Sequence, residues 1–181
     1  RLLVQTTDAN IWLADLPRKA VTLAFDAEPF VPKIDGVIRD ARVVSAVPDG
    51  VSRYEFVVVP ELALLRFRRN HRVFKDATSS QIAITLLSEH ADRLAIVERL
   101  STDHRTREYT VQYGEDDLHA FERLLADDGI AYFFDFENGT IVLSDDTTQQ
   151  RLRLPSAVAF IPPSALGPST TKADYSNYGF K

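Results

Sequence analysis

The sequence predicts an α+β protein, and three local patterns carry that prediction. Residues 107–136 read as strand, helix and strand without a gap, Thr78-Ser79-Ser80-Gln81 opens another helix, and two β-rich runs flank Pro48-Asp49-Gly50. Tyr109, Val111 and Tyr113 alternate with Glu108, Thr110 and Gln112, the period of a half-buried strand. Glu115-Asp116-Asp117 then places carboxylates where a helix presents unpaired N–H groups and the positive end of its dipole. Leu118, Phe121, Leu124 and Leu125 share one helical face, and Gly129 follows Asp128 where a left-handed C-cap is wanted.

From the N-terminus, residues 20–25 alternate as a strand after the break at Pro17, and residues 30–36 read as a loop. Residues 37–47 and 51–59 form the arms of a hairpin, since Asp49-Gly50 between apolar runs suits a tight turn with positive φ. Tyr54, Phe56 and Val58 share one face, with Val57 and Val59 on the other. The front portion is therefore antiparallel β. Texture changes after Leu65. Thr78 and Gln81 make a capping box, and Ile82, Leu86, Leu87 and Ala91 extend the helix to about residues 90–93. Residues 92–105 hold a short apolar core, Leu94 to Val97, between charged flanks. Residues 130–136 are an aromatic-rich strand, paired through Asn138-Gly139 with residues 140–143. Beyond Asp146 the chain is rich in Thr, Gln and Pro, with strand-like pieces at 151–154, 157–161 and 175–180.

Composition narrows the function. The 181 residues are 45% apolar and 26% charged, ordinary globular values that disfavour disorder and coiled coil. No run approaches the ~20 apolar residues of a membrane helix, so no membrane anchor is expected. The formal charge of −5 argues against nucleic acid as a partner, which needs clustered lysine and arginine. The one basic run, Arg66-Phe67-Arg68-Arg69-Asn70-His71-Arg72, reads as a solvated or interface-facing strand end. The absence of cysteine excludes disulfides and thiolate zinc sites. The chain starts at Arg1 and contains no methionine, so a fragment or processed product is expected. No signal peptide is visible.

No catalytic, cofactor-binding or metal-ligating residue is nominated, and no cofactor is implied. His71, His90, His104 and His119 lack the i, i+4 spacing of a helical metal site. His119 reads as a surface histidine and His104 as a loop residue. Asp145-Asp146 and Glu115-Asp116-Asp117 lack the alternating oxygen ligands of a calcium loop, and a strand end and helix capping explain them. Tyr132, Phe133, Phe134 and Phe136 have the chemistry to stack sugars or bases, but core packing in a strand accounts for them. Trp12 suits an interface anchor and a core position equally.

The wording of residues 107–136, REYTVQYGEDDLHAFERLLADDGIAYFF and its continuation, is similar to the VgrG family, the spike proteins of bacterial type VI secretion, which are related to the hubs of contractile phage tails. Further matching blocks lie at Ile34-Asp35-Gly36-Val37-Ile38, at residues 54–65, and at His71-Arg72-Val73-Phe74. Together they span residues 34–145. Lys75 stands where the family usually has glutamine, and residues 1–33 match poorly.

The resemblance implies a phage tail hub-like fold. Residues 1–65 would form a first β-barrel-like hub domain, incomplete at its N-terminus, 66–145 a small α+β domain with two helices, and 146–181 the start of a second β-barrel-like domain. It implies a structural rather than catalytic role, in a homotrimer of full-length subunits that links a hexameric, Hcp-like tube protein to a puncturing needle. Tip proteins or effectors would bind through C-terminal parts outside this stretch. Assembly would occur in the bacterial cytoplasm, with expulsion by the contractile machine. The alternatives are a hub or baseplate protein of a contractile phage tail or related injection system, and a glycan-acting effector enzyme, which would need opposed carboxylates in a cleft.

Overall fold

A computed structural model describes residues 1–24, 33–47, 50–89, 94–136, 138–146 and 148 of the chain. The strand-like pieces expected at 151–154, 157–161 and 175–180, and His90 and Ala91, lie outside the described residues.

The front portion is a four-stranded antiparallel sheet of β1 (Leu2–Thr6), β2 (Ala20–Ala24), β3 (Lys33–Ser45) and β4 (Ser52–Val59), in the order β1-β4-β3-β2. Its register shifts between Ile38 and Asp40, and again between Val43 and Ser45. Each shift inserts an extra residue in β3, which bends and twists a strand, and the sheet curls into a half-barrel. Val4, Tyr54 and Val43 form one row across it, and Leu2, Phe56 and Ala41 the next. Tyr54 is 1% exposed, and its hydroxyl donates to the Asp8 carbonyl at 3.2 Å. The loop expected at 30–36 is corrected in part, because residues 33–36 already belong to β3 and pair with β2. Pro48 and Asp49 of the expected turn lie outside the described residues, and Gly50 follows them. Its requirement is close approach, since a Cβ there would lie 2.7 Å from Val47 Cγ1.

After Pro60 a 3₁₀ helix, Glu61–Phe67, turns Leu62 and Leu65 into a second core. Next come β5 (Arg69–Ala77), α1 (Ser79–Ser88), β6 (Ala95–Arg99), β7 (Arg107–Asp116), α2 (Asp117–Asp127), β8 (Ala131–Asp135) and β9 (Thr140–Ser144). The capping box is present: Gln81 N donates to Thr78 Oγ1 at 3.3 Å, and Thr78 N donates to Gln81 Oε1 at 2.9 Å. α1 stops at Ser88, two residues before the expected end. Asp116 caps α2 by accepting from His119 N at 2.9 Å. At the other end Gly129 has φ +68°. Ile130 N bonds Leu125 O at 2.8 Å and Gly129 N bonds Ala126 O at 3.1 Å, a complete Schellman stop.

α1 packs on α2. Ile82, Leu86, Leu87, Phe121, Leu124 and Leu125 are at most 1% exposed, joined by Ile141 and Leu143 from β9. The expected β8–β9 hairpin is present, with Gly139 at φ +63°. From Ala95 the apolar stretch at 94–97 is also strand: β6 pairs in parallel with β9, Ile96 opposite Ile141.

Candidate interaction surface

β5 and β7 pair only with each other among the described residues, and this ribbon reverses the usual polarity of a half-buried strand. Tyr109 is 61% exposed, Val111 40% and Tyr113 81%, whereas Thr110 is 7% and Gln112 1%. The alternation is as expected, but the polar face is the buried one.

The reason lies beneath the ribbon, at the N-terminus of α2. The Asp117 side chain has no solvent exposure. Gln112 Nε2 donates to it at 2.7 Å, Asn70 Nδ2 at 2.9 Å, and Arg72 Nη2 to both oxygens at 3.0 and 2.9 Å. Arg68 Nε stands 3.7 Å away, and the Asp117 N–H itself bonds Arg68 O at 2.9 Å. A buried carboxylate must be paired and hydrogen-bonded, so the polar side chains of both strands turn inward. Period two then forces their neighbours outward. Burial pushes the Asp117 carboxyl up, yet the bonds from Gln112, Asn70 and Arg72, with the charge of Arg72, outweigh it and hold it below its ordinary value. Arg72 also places Nη1 2.8 Å from both oxygens of Glu89. The solvated reading of the basic run therefore fails for Arg72, which is 20% exposed and serves this buried network.

On the outer face Tyr113 stands opposite His71, Val111 opposite Val73 and Tyr109 opposite Lys75. The rings of His71 and Tyr113 meet edge to face at 4.9 Å. A register shift at Asn70/His71 accommodates Gly114, φ +60°, and Asp76 adopts φ +49° between the Lys75 and Ala77 pairs. Irregularities thus bound a regular window of five residues on each strand. Arg123, held by Glu115, reaches the Val111 carbonyl at 3.3 Å.

The other sequence candidates resolve separately. Asp145 accepts from the N–H and hydroxyl of Ser101 and of Thr102, at 2.7 to 3.1 Å, and lies 3.1 Å from His104 Nε2. The Ser101 amide, first among these donors, holds its carboxyl well below the usual range against the opposing effect of burial. Its oxygens face donors rather than a cation. His104 is thus more than a loop residue, since it clasps the end of β9, a pairing across 41 positions that no local pattern signals. His119 is 65% exposed and 3.7 Å from Glu115, as a surface histidine should be. Tyr132 packs edge-on to Phe121 at 5.3 Å, and Tyr132 and Phe134 lie against the core, so they are packing residues. Trp12 is 72% exposed, which removes its core reading. A groove of about 340 Å³ between the half-barrel and the β8–β9 hairpin is lined by Asp35, Glu61 and Asp135 among apolar residues including Phe134 and Phe136. Thr22 donates to Asp35 and Asn138 to Asp135, so two of the three carboxylates act as local acceptors. Among the described residues no cluster of three potential ligands could hold a metal, and no helix is long and apolar enough to cross a membrane.

Residues 1–177 match the family model described as phage tail baseplate hub (GPD). The chain is 41% identical over 113 residues to the type VI secretion system spike protein VgrG4b of Pseudomonas aeruginosa, covering 59% of this chain and 14% of that protein. It is 32% identical over 108 residues to the actin cross-linking toxin VgrG1 of Vibrio cholerae, covering 59% of this chain and 10% of the toxin. Its structure resembles that of the E. coli c3393 protein, a component of the type VI secretion system with structural similarity to the T4 bacteriophage tail proteins gp27 and gp5. The TM-score is 0.69 at 26% identity, over 85% of this chain and 45% of that one. A tail protein from Neisseria meningitidis MC58 shares the fold, at TM-score 0.52 and 13% identity over 78% of this chain and 40% of that one. The chain therefore spans a small part of the length of these curated relatives.

Proposed function

The chain belongs to the phage tail baseplate hub family, and we propose that it forms the hub portion of a type VI secretion spike subunit, with a mechanical rather than a catalytic task. The subunit assembles as a homotrimer, three copies present a ring of barrel-like domains to a hexameric tube protein, and thrust passes through strand ladders toward a needle. Residues 1–65, 66–145 and 146–181 are proposed as successive pieces of this hub. The packing of Leu62 and Leu65 with the helices favours a first break near Pro60. Tip proteins and effectors engage elsewhere in the subunit, which is built in the cytoplasm and expelled.

One observation carries this reading. The half-barrel of β1–β4 is an open sheet whose outer strands, β1 and β2, each have one unpaired edge among the described residues, beside a well-packed α+β block. An unclosed barrel exposes strand edges that soluble proteins normally cover, which suits a piece completed within an assembly. Sedimentation or light scattering on the complete subunit tests the reading. Three times the subunit mass is expected, and a strictly monomeric subunit overturns it.

A further inference from the structure

We propose that the outer face of the β5–β7 ribbon, centred on Tyr109, Val111 and Tyr113, is a contact between neighbouring copies of this chain; the second copy comes from the hub reading above, on which this inference rests. The reversed polarity is the starting point. Three exposed side chains of one strand, joined by Val73 at 49% exposure from the next, make an apolar face that none of the other described residues covers.

Two features indicate how that face is used. The ribbon is guarded against edge-to-edge pairing by irregularities at Gly114 and Asp76 and by Arg123 on the Val111 carbonyl, devices that discourage strand addition. The face itself carries no such guard, so a partner packs onto it face-on. Within the regular window the outward residues are His71, Val73, Lys75, Tyr109, Val111 and Tyr113. They include Lys75 and no carboxylate, and a chain with 26 Asp and Glu against 21 Lys and Arg has carboxylates with which another copy can meet it.

Area decides the kind of contact. At 150–250 Å² for an aromatic side chain, the two tyrosines expose on the order of 300 Å². With the valines the patch is about 400 Å², half of the ~800 Å² that each partner gives to a standard interface. That is too little for a free-standing dimer of this chain and suits one contact among several in a closed ring.

The chain has no cysteine, so Tyr113→Cys, and Ala126→Cys on the solvent face of α2 as control, can be introduced into the complete subunit. Maleimide labelling is then read by peptide mass in assembled and dissociated protein. Labelling at position 113 is expected to slow at least about 10-fold on assembly, with position 126 unchanged. A trimer in which position 113 labels as fast as position 126 overturns the proposal and leaves the hub reading intact. A subunit that never trimerises overturns both. Protection that arises only when tube protein is added overturns the assignment to a second copy. As an independent check, Tyr109→Ser with Tyr113→Ser should weaken trimer association at least about 10-fold with the circular dichroism spectrum unchanged, and unaltered association counts against the proposal.

Discussion

Asp117 is a charged residue that the fold removes from water, and its neighbours are arranged accordingly. Replacing it by alanine leaves Arg72 facing a gap beside Gln112 and Asn70, and breaking a buried pair from one side costs about 3–5 kcal/mol. Urea unfolding of Asp117→Ala should show that loss, while Asp117→Leu combined with Arg72→Leu should lose less, because no charge is left stranded. The pH dependence has a definite sign. The carboxyl titrates lower in the folded protein than in the unfolded chain, whose value is about 3.9. Below that point the unfolded chain holds more protons, so this stabilisation is complete above about pH 5 and is lost as pH falls through the folded value. From this group the urea midpoint should therefore be the same at about pH 7 and pH 5 and lower at about pH 3, with a smaller drop between the last two in Asp117→Asn. Tyr132 works at the opposite end of the scale. Burial first, then its bond to Glu122 at 2.9 Å, pushes its phenol up to about 12. Its contribution is intact below about pH 10 and disappears as pH rises towards 12. An alkaline tyrosinate titration should lose its latest step in Tyr132→Phe.

At the scale of the element, α2 has both ends and its buried stripe specified locally. Gly129 and Gly36 separate two reasons for glycine. A Cβ at Gly129 meets nothing within 4 Å, but the backbone has φ +68°, so Gly129→Ala should cost about 1–2 kcal/mol from conformation alone. At Gly36 a Cβ would sit 2.7 Å from the Val59 carbonyl oxygen, so Gly36→Ala must displace backbone between β3 and β4. The thermal midpoint of Gly129→Ala should recover with asparagine, which tolerates the left-handed region, whereas Gly36→Asn should be no better than alanine. In the middle of α2, Phe121 is 0% exposed, and Phe121→Ala should cost about 3–5 kcal/mol, measured by denaturant unfolding.

For the whole molecule, the division into a curled sheet and a helical core sets the expected pattern of local opening. Leu62 and Leu65 tie the 3₁₀ helix to α1 and α2, while Tyr54 belongs to the half-barrel and its Asp8 bond. Hydrogen exchange of Phe121→Ala should therefore lose protection in α1, α2, β8 and β9 before β3 and β4. Equal loss throughout would mean that the two cores open as one unit.

Much of this was readable from residues close in sequence. The Thr78–Gln81 box, the Asp116 cap, the Gly129 stop and the Asn138-Gly139 turn depend on residues a few positions apart, and each forms as its local chemistry dictates. The chain's wording over 34–145 also pointed to the hub family that its match over residues 1–177 shows. What distance along the chain concealed was decided only on folding. β6 finds β9 in parallel across more than 40 positions, and His104 finds Asp145. The face that β7 turns to solvent is also a tertiary choice. A period of two says that Tyr109, Val111 and Tyr113 lie together, but not which way they point. That is settled by a carboxylate at the start of the following helix, which must be solvated by protein once water is excluded, and which draws Gln112, Asn70 and Arg72 inward.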